Sequence, residues 1–318
     1  MKLITQPDDG ITPLIQAVRK AKTNVDIVIF RFDRTDLAKA LQAAVARGAT
    51  VRALIAHTNR GGEKSLRKLE LMLLDGGVTV ARTADDLPRY HGKMMVVDDR
   101  LFVLGFNYTN IDIERSRSFG IITKDKALVK EASSLFDADS TRQPYKPGES
   151  HLAVSPETSR EILTNFIRKA KRQLLIYDTK VSDRLMLRLL AERAKAGVEI
   201  RLLGKLGKGA SGIDARKMPE LRLHVRAMIR DGAAAFVGSQ SLRKLELDGR
   251  REVGIVVTDS RIAKKMLAVF ESDWALTPGA KKDETTKAEE KKQDADADAK
   301  DDKKDKDEKD KDEKDDKK

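Results

Sequence analysis

Cysteine is absent from the 318 residues, which removes disulfides, thiolate metal sites and thiol nucleophiles from consideration. Long apolar runs are also missing. No stretch approaches the roughly 18 uninterrupted apolar residues of a membrane-spanning helix. The opening MKLITQPDDG reaches aspartate before any apolar run of signal-peptide length, so a soluble, cytoplasmic protein is expected. Aromatic residues make up only 4%, which argues against a groove that grips single-stranded nucleic acid by base stacking. Histidine is scarce too, with four in the whole chain.

Positive charge is plentiful, and it is unevenly placed. Of 63 basic and 51 acidic residues, 14 Lys and 17 Asp or Glu lie from Lys281 onward, so positions 1–280 keep 49 and 34, a net of +15. A partner for that part is expected to be anionic: a phosphodiester ligand, a nucleic acid or an acidic lipid surface. The tail, 279–318, has no apolar side chain larger than alanine to offset the entropy of ordering it, and is expected to be a disordered, solubilising extension.

Sliding the first half along the second exposes an internal repeat. ITPLIQAVRKAKTNVDIVIFRF lies over REILTNFIRKAKRQLLIYDTK, with Arg19 on Arg168 and Gly48 on Gly197, both 149 apart. Each copy reads as helix, strand, helix ending at glycine, and strand, the pattern of an α/β domain. Further on, the first copy has a longer loop and helix around HTNRGGEKSLRKLELMLLDGG, and the spacing falls to 133: His91 on His224, Lys93 on Arg226, Asp98 on Asp231, Gly105 on Gly238. At Gly120 on Gly254 it becomes 134, which implies a residue lost between the paired glycines. The expected organisation is a first half at 1–140, a linker at 141–152, a second half at 153–278 and the tail at 279–318.

Within each motif, two short apolar strands flank a tight turn, Asp98-Asp99-Arg100 or Asp231-Gly232. Residues i and i+2 of a strand share a face, so His91 and Lys93 project together, as do His224 and Arg226. A lone histidine at a strand start is usually structural; two at equivalent places of a repeat, each with a base at +2 and Asp at +7, are not well explained that way. Phosphodiester cleavage needs a nucleophile, an acid for the leaving alkoxide and fixed positive charge near the phosphate oxygens. Two imidazoles with Lys93 and Arg226 supply these without a metal or any other cofactor.

The H-G-K-x4-D run at 91–98 and the H-x-R-x4-D run at 224–231, the latter followed by Gly238-Ser239, resemble the phospholipase D superfamily over roughly residues 10–275. The resemblance implies two α/β halves packed about a pseudo-twofold axis, one site at their junction, a phosphohistidine intermediate and no metal. It carries the catalytic set onto His91, Lys93, Asp98, His224, Arg226, Asp231 and Glu252, and phosphate binding onto Asn107, Ser239 and Ser241. Arg226 stands where that family usually has lysine, exchanging a point charge for a planar fork. The glycine segment reads as shortened in the first copy, Gly105-Phe106-Asn107, against Gly238-Ser239-Gln240-Ser241. Glu252 fits the place of a carboxylate orienting the second histidine, while Ser118 occupies that place in the first half. On this basis His91 is expected to be the nucleophile and His224, backed by Glu252, the acid.

The implied activity is a phosphodiesterase that hydrolyses or transfers a phosphatidyl group, as a phospholipase D or a cardiolipin synthase does. A nuclease of the same fold and a catalytically silent phosphate-binding module are the alternatives. A phospholipid is the favoured substrate, nucleic acid the competing one, with peripheral contact to an anionic membrane and no oligomer needed to complete the site. His57 reads as a solvent-bonded strand-end residue, Asp112 and Glu114 as a solvated turn, and the RKAK segments at 19 and 168 as polar helix ends.

Overall fold

Strands that are apolar on both faces need cover on both faces. The protein provides it twice in a computed structural model that describes residues 1–278 except 60, 149 and 151. The tail expected to be disordered, 279–318, lies outside the described residues.

The first half runs β1 (Lys2–Gln6), α1 (Thr12–Arg19), β2 (Asn24–Ile29), α2 (Thr35–Ala46), β3 (Thr50–Ile55), α3 (Gly62–Asp75), β4 (Thr79–Arg82), β5 (Met94–Val97), β6 (Arg100–Leu104), α4 (Asn110–Glu114), β7 (Ser116–Thr123) and α5 (Lys126–Thr141). The second half runs β8 (Leu152–Val154), α6 (Ser159–Arg168), β9 (Gln173–Val181), α7 (Arg184–Lys195), β10 (Glu199–Leu206), β11 (Asp214–Arg216), β12 (Arg222–Leu223), β13 (Arg226–Arg230), β14 (Ala234–Gly238), α8 (Lys244–Asp248), β15 (Val253–Val257) and α9 (Ser260–Ala275).

The two sheets have the same strand order. One is β1-β7-β6-β5-β2-β3-β4, and the other, read from its β8 edge, is β8-β15-β14-β13-β9-β10-β11. Local chemistry sets the helix ends. Asp125, Asp183 and Asp259 cap α5, α7 and α9 by accepting backbone N–H bonds. Gly48 and Gly197 follow α2 and α7 at φ +91° and +85°, where a side chain would be strained. The long loop and helix peculiar to the first copy is α3, between β3 and β4; in the second copy β10 leads to β11, the counterpart of β4, with no helix between them.

Alternation along the hairpin strands divides the core into layers. Met95, Val97, Phe102 and Leu104 face α1 and α2, while Met94, Val96, Leu101 and Val103 face the other way. The second sheet does the same, with Met228 and Phe236 toward α6 and α7, and Ala227, Ile229, Ala235 and Val237 toward the middle. The middle layer holds α5 and α9 between the sheets and joins both halves in one apolar cluster. Met1–Thr277 accordingly form one compact unit.

The hairpin turns correct the sequence alignment. Val97 pairs with Arg100 across two residues, whereas Arg230 pairs with Ala234 across three. The one-residue difference therefore lies in the turn, before the glycines. Gly105 is equivalent to Ser239, Phe106 to Gln240 and Asn107 to Ser241, which the shared bonds of Gly105 N to Phe119 O and Ser239 N to Val253 O confirm. The first glycine segment is not shortened.

Twin ion pairs clamp the halves together. Arg117 of β7 donates to both oxygens of Asp273 on α9, at 2.8 and 3.0 Å, and to Gln6 O. At the equivalent place Arg251 approaches Asp139 on α5 at 3.2 Å and donates to Ser155 O and Glu157. All four paired side chains are buried, where removal of one partner strands the other's charge.

Candidate active site

Both motif histidines precede a strand that runs antiparallel to the central parallel pair: β5 beside β2, and β13 beside β9. They therefore sit at the carboxyl ends of the parallel strands, the usual edge for ligand chemistry in an α/β sheet. The chain leading into each histidine is pinned to the opposite half. His91 N and Gly92 N donate to Arg251 O at 2.7 and 3.0 Å, while Arg222 and Leu223 pair in parallel with Ser116 and Arg117. Each half thus delivers its histidine onto the other half's strand.

That exchange decides which carboxylate meets which imidazole. His91 Nδ1 lies 2.9 Å from Glu252 Oε2, and His224 Nδ1 lies 3.2 Å from Asp112 Oδ2. The expectation that Glu252 backs His224 and that His91 has no carboxylate is overturned, because the backbone of His91 is bonded to Arg251, the residue before Glu252. Asp112 had read as part of a solvated turn, yet it is 1% exposed. Asn107 N and Nδ2 donate to its Oδ2 at 2.9 and 2.6 Å, and Arg222 donates to its Oδ1 at 2.6 Å. The repeat held a signal for it: Glu246 falls 134 residues later and does the equivalent task, accepting from Ser241 N at 2.8 Å. Glu114, by contrast, is exposed and paired with Arg34.

The cations converge on the same place. Lys93 Nζ is 2.8 Å from His91 Nε2 and 5.4 Å above the Phe30 ring, whose edge packs against His91 at a centroid separation of 4.6 Å. Arg226 Nε donates to Ser241 Oγ at 3.1 Å, while its buried Nη1 has no protein partner. Thr179 stands where the repeat places Phe30 and lies within 3.3 Å of Ser241 Oγ. The first half therefore walls the site with an aromatic ring, and the second with hydroxyls. Phe30 is a site neighbour that sequence reasoning missed, since nothing in its local pattern distinguishes it from a core residue.

The protonation states follow from this burial. Burial first, then the Lys93 and Arg226 cations, push His91 well below its ordinary value, leaving it a neutral imidazole. Burial lowers His224 to about 4 against the opposing pull of Asp112. Burial also lowers Lys93 to about 7, despite Glu252 nearby. Burial raises Glu252, whereas Asp112, which burial would also raise, is held well below the usual carboxylate range by His224 and Asn107. Of the two carboxylates, Asp112 is the firmer anion.

The motif aspartates lie elsewhere. Asp98 and Asp231 sit in the hairpin turns at φ +50° and +55°, at the far end of their strands from the histidines. Asp98 accepts from the backbone N–H groups of Lys22, Thr23 and Asn24, and Asp231 from those of Lys171, Arg172 and Gln173. They join the α1–β2 and α6–β9 corners to the hairpins, and do not reach the imidazoles. Ser239 also turns to backbone, its Oγ donating to Val253 O and accepting from Val253 N. Ser118 Oγ is buried without a partner. His57 bonds Thr83 at 3.2 Å, with its ring 6.0 Å from Tyr90. Among the described residues no three His, Asp or Glu side chains gather as a metal-binding group, and no helix is long and apolar enough to cross a membrane.

Two cross-braced imidazoles with two buried cations, on a duplicated α/β frame, define the phospholipase D class of site. The chain belongs to the family described as cardiolipin synthase, PLD-like domain, whose model matches residues 14–140 and 163–274. It is similar to the human mitochondrial cardiolipin hydrolase, at 26% identity over 162 residues, covering 48% of this chain and 62% of that protein. The fold is shared with polyphosphate kinase from Porphyromonas gingivalis, with a TM-score of 0.71 at 17% identity over 85% of this chain and 49% of that one. It is also shared with phosphatidylserine synthase from Haemophilus influenzae Rd KW20, with a TM-score of 0.63 at 11% identity over 86% and 85% of the two chains.

Proposed function

We propose that this protein is a metal-independent phosphodiesterase that hydrolyses or transfers a phosphatidyl group through a phosphohistidine. The observation that carries the reading is the Glu252–His91–Lys93 row, in which Nδ1 is held by a carboxylate and Nε2 is turned toward a cation. Holding Nδ1–H on Glu252 leaves the lone pair on Nε2. A substrate phosphate draws the Lys93 ammonium onto its own oxygens, with Arg226 Nη1 as the second donor, and frees Nε2 to attack.

In the first step the Nε2–phosphorus bond forms, the phosphorus–oxygen bond to the leaving alcohol breaks, and His224 gives that alcohol its proton. The substrate's negative charge adds to that of Asp112 and raises His224 from its resting value, so that it carries the proton when substrate is bound. In the second step His224 takes a proton from water or an acceptor alcohol, whose oxygen displaces His91 from phosphorus. His91 remains the nucleophile and His224 the acid, now because the firmer anion stands beside His224. Asn107 acts on substrate through Asp112, and Ser241 through Arg226.

The phosphatidyl reading draws support from the family's description and from the cardiolipin hydrolase and phosphatidylserine synthase likenesses. Headgroup release from phosphatidylcholine and phosphatidylglycerol, measured beside plasmid nicking with chelator present throughout, tests it. Headgroup release that survives chelation is expected. Nicking without headgroup release favours a nuclease, loss of turnover on chelation contradicts the mechanism, and no turnover on any substrate favours a silent binding module.

A further inference from the structure

The site-bearing edge exposes aliphatic side chains in a repeated arrangement. α4 and α8 are five-residue helices at the same place in the two copies. The third residue of each, Asp112 or Glu246, is buried at the site, and the fourth, Ile113 or Leu247, anchors the helix in the core. The second residue faces outward: Ile111 is 45% exposed and Leu245 44%. An isolated exposed aliphatic means little, but a twin pair, each one residue from the buried acid of its short helix, marks the rim of the site. Leu185, 59% exposed in the first turn of α7, joins the α8 side. Its neighbour Asp183 accepts from Arg160, which also binds Asp248 of α8, and Asp183 N donates to Leu242 O just before that helix.

Cations border these aliphatics. Arg115 and Lys244 are exposed, and the Arg222 and Arg243 side chains keep 40% and 41% of their surface in water. A polynucleotide offers the cations phosphate but gives the aliphatics nothing apolar to enter. The interface of an anionic bilayer offers both.

We propose that this rim is the surface by which the protein sits on an anionic bilayer, with Ile111, Leu245 and Leu185 entering the headgroup region and Arg115, Lys244, Arg222 and Arg243 meeting lipid phosphates. The mouth of the site then opens directly onto phosphodiesters in the membrane. The proposal rests on the phosphatidyl reading for its purpose, but the binding it describes is measurable without turnover.

Sedimentation of the full chain with phosphatidylcholine vesicles, with and without phosphatidylglycerol, tests it against the double variant Ile111→Ser/Leu245→Ser, whose folding is checked by its thermal midpoint. Wild type should bind the phosphatidylglycerol vesicles, more weakly at high salt, and the variant about tenfold less tightly. The ratio of turnover on vesicles to turnover on a short-chain monomeric phospholipid should fall by a similar factor. Equal vesicle binding by both proteins overturns the proposal, as does a wild type that binds plasmid DNA and no vesicle. Vesicle binding that the variant loses, in a protein that releases no headgroup, leaves the surface standing and defeats the phosphatidyl reading instead.

Discussion

Each half of this protein brings a histidine, a cation two residues later and a buried acid on a short helix, yet the two half-sites are not copies. His91 is braced by Glu252, whose equivalent in the first half is Ser118; His224 is braced by Asp112, whose equivalent in the second half is Glu246. A perfect repeat would give both imidazoles the same surroundings and no reason to act differently. Braces from non-equivalent positions make one imidazole share a carboxyl whose pKa is raised and give the other a firm anion. The frame stays symmetric while the proton chemistry does not, and that is how a duplicated fold can separate nucleophile from acid.

The harshest way to break the comparison is to remove an imidazole. His91→Ala and His224→Ala should each lower kcat by about 10³-fold or more, because the two act as one unit. Only His91→Ala should abolish a trapped phosphoenzyme; a phosphohistidine mapped to His224 reverses the roles. Glu252→Gln should lower kcat by about 10²–10⁴-fold by releasing the His91 tautomer, as loss of an orienting carboxylate does elsewhere.

A smaller effect sharpens the contrast between the two cations. Lys93 titrates near 7 in its buried place, whereas a guanidinium stays charged. With His224 resting at about 4, kcat/KM should already decline above that pH and fall more steeply as pH rises through about 7, and Lys93→Arg should move that second limb beyond the working range. An unshifted limb would assign it to another group.

The clamps and turns should show in stability. Asp273→Asn, followed by urea unfolding, should cost about 3–5 kcal/mol, since it takes the close counter-ion from the buried Arg117, whereas Asp139→Asn should cost less because Arg251 keeps Glu157. Asp98→Ala should cost only about 1–2 kcal/mol, because water can replace part of what the backbone donors lose. Burial raises the Asp98 carboxyl, but the Thr23, Lys22 and Asn24 donors outweigh it and hold the group at about 2. Its folded value lies below its unfolded one, so the stabilisation is complete above about pH 4 and drains away as pH falls toward 2.

The sequence carried the repeat, the two-halved α/β architecture and the histidine–cation pairs, because hydrophobic period and strand alternation are local properties. It also put Glu252 at the site. It misled where chain-to-chain geometry decides. No local pattern shows that the residues before His91 pair with Arg251 of the other half, so Glu252 was joined to the wrong histidine. Asp112 looked like a turn residue because its five-residue helix is too short for a periodic signature. The apparent deletion after Gly105 arose from matching glycine to glycine, when backbone pairing places the extra residue in the Asp231-Gly232-Ala233 turn.

The crossed bracing is tested most directly by ¹⁵N imidazole NMR of the Glu252→Gln and Asp112→Asn variants. Glu252→Gln should shift chiefly the His91 Nδ1 resonance and Asp112→Asn chiefly that of His224. If Glu252→Gln instead perturbs His224 and leaves His91 as it was, each half braces its own histidine and the crossed site is wrong.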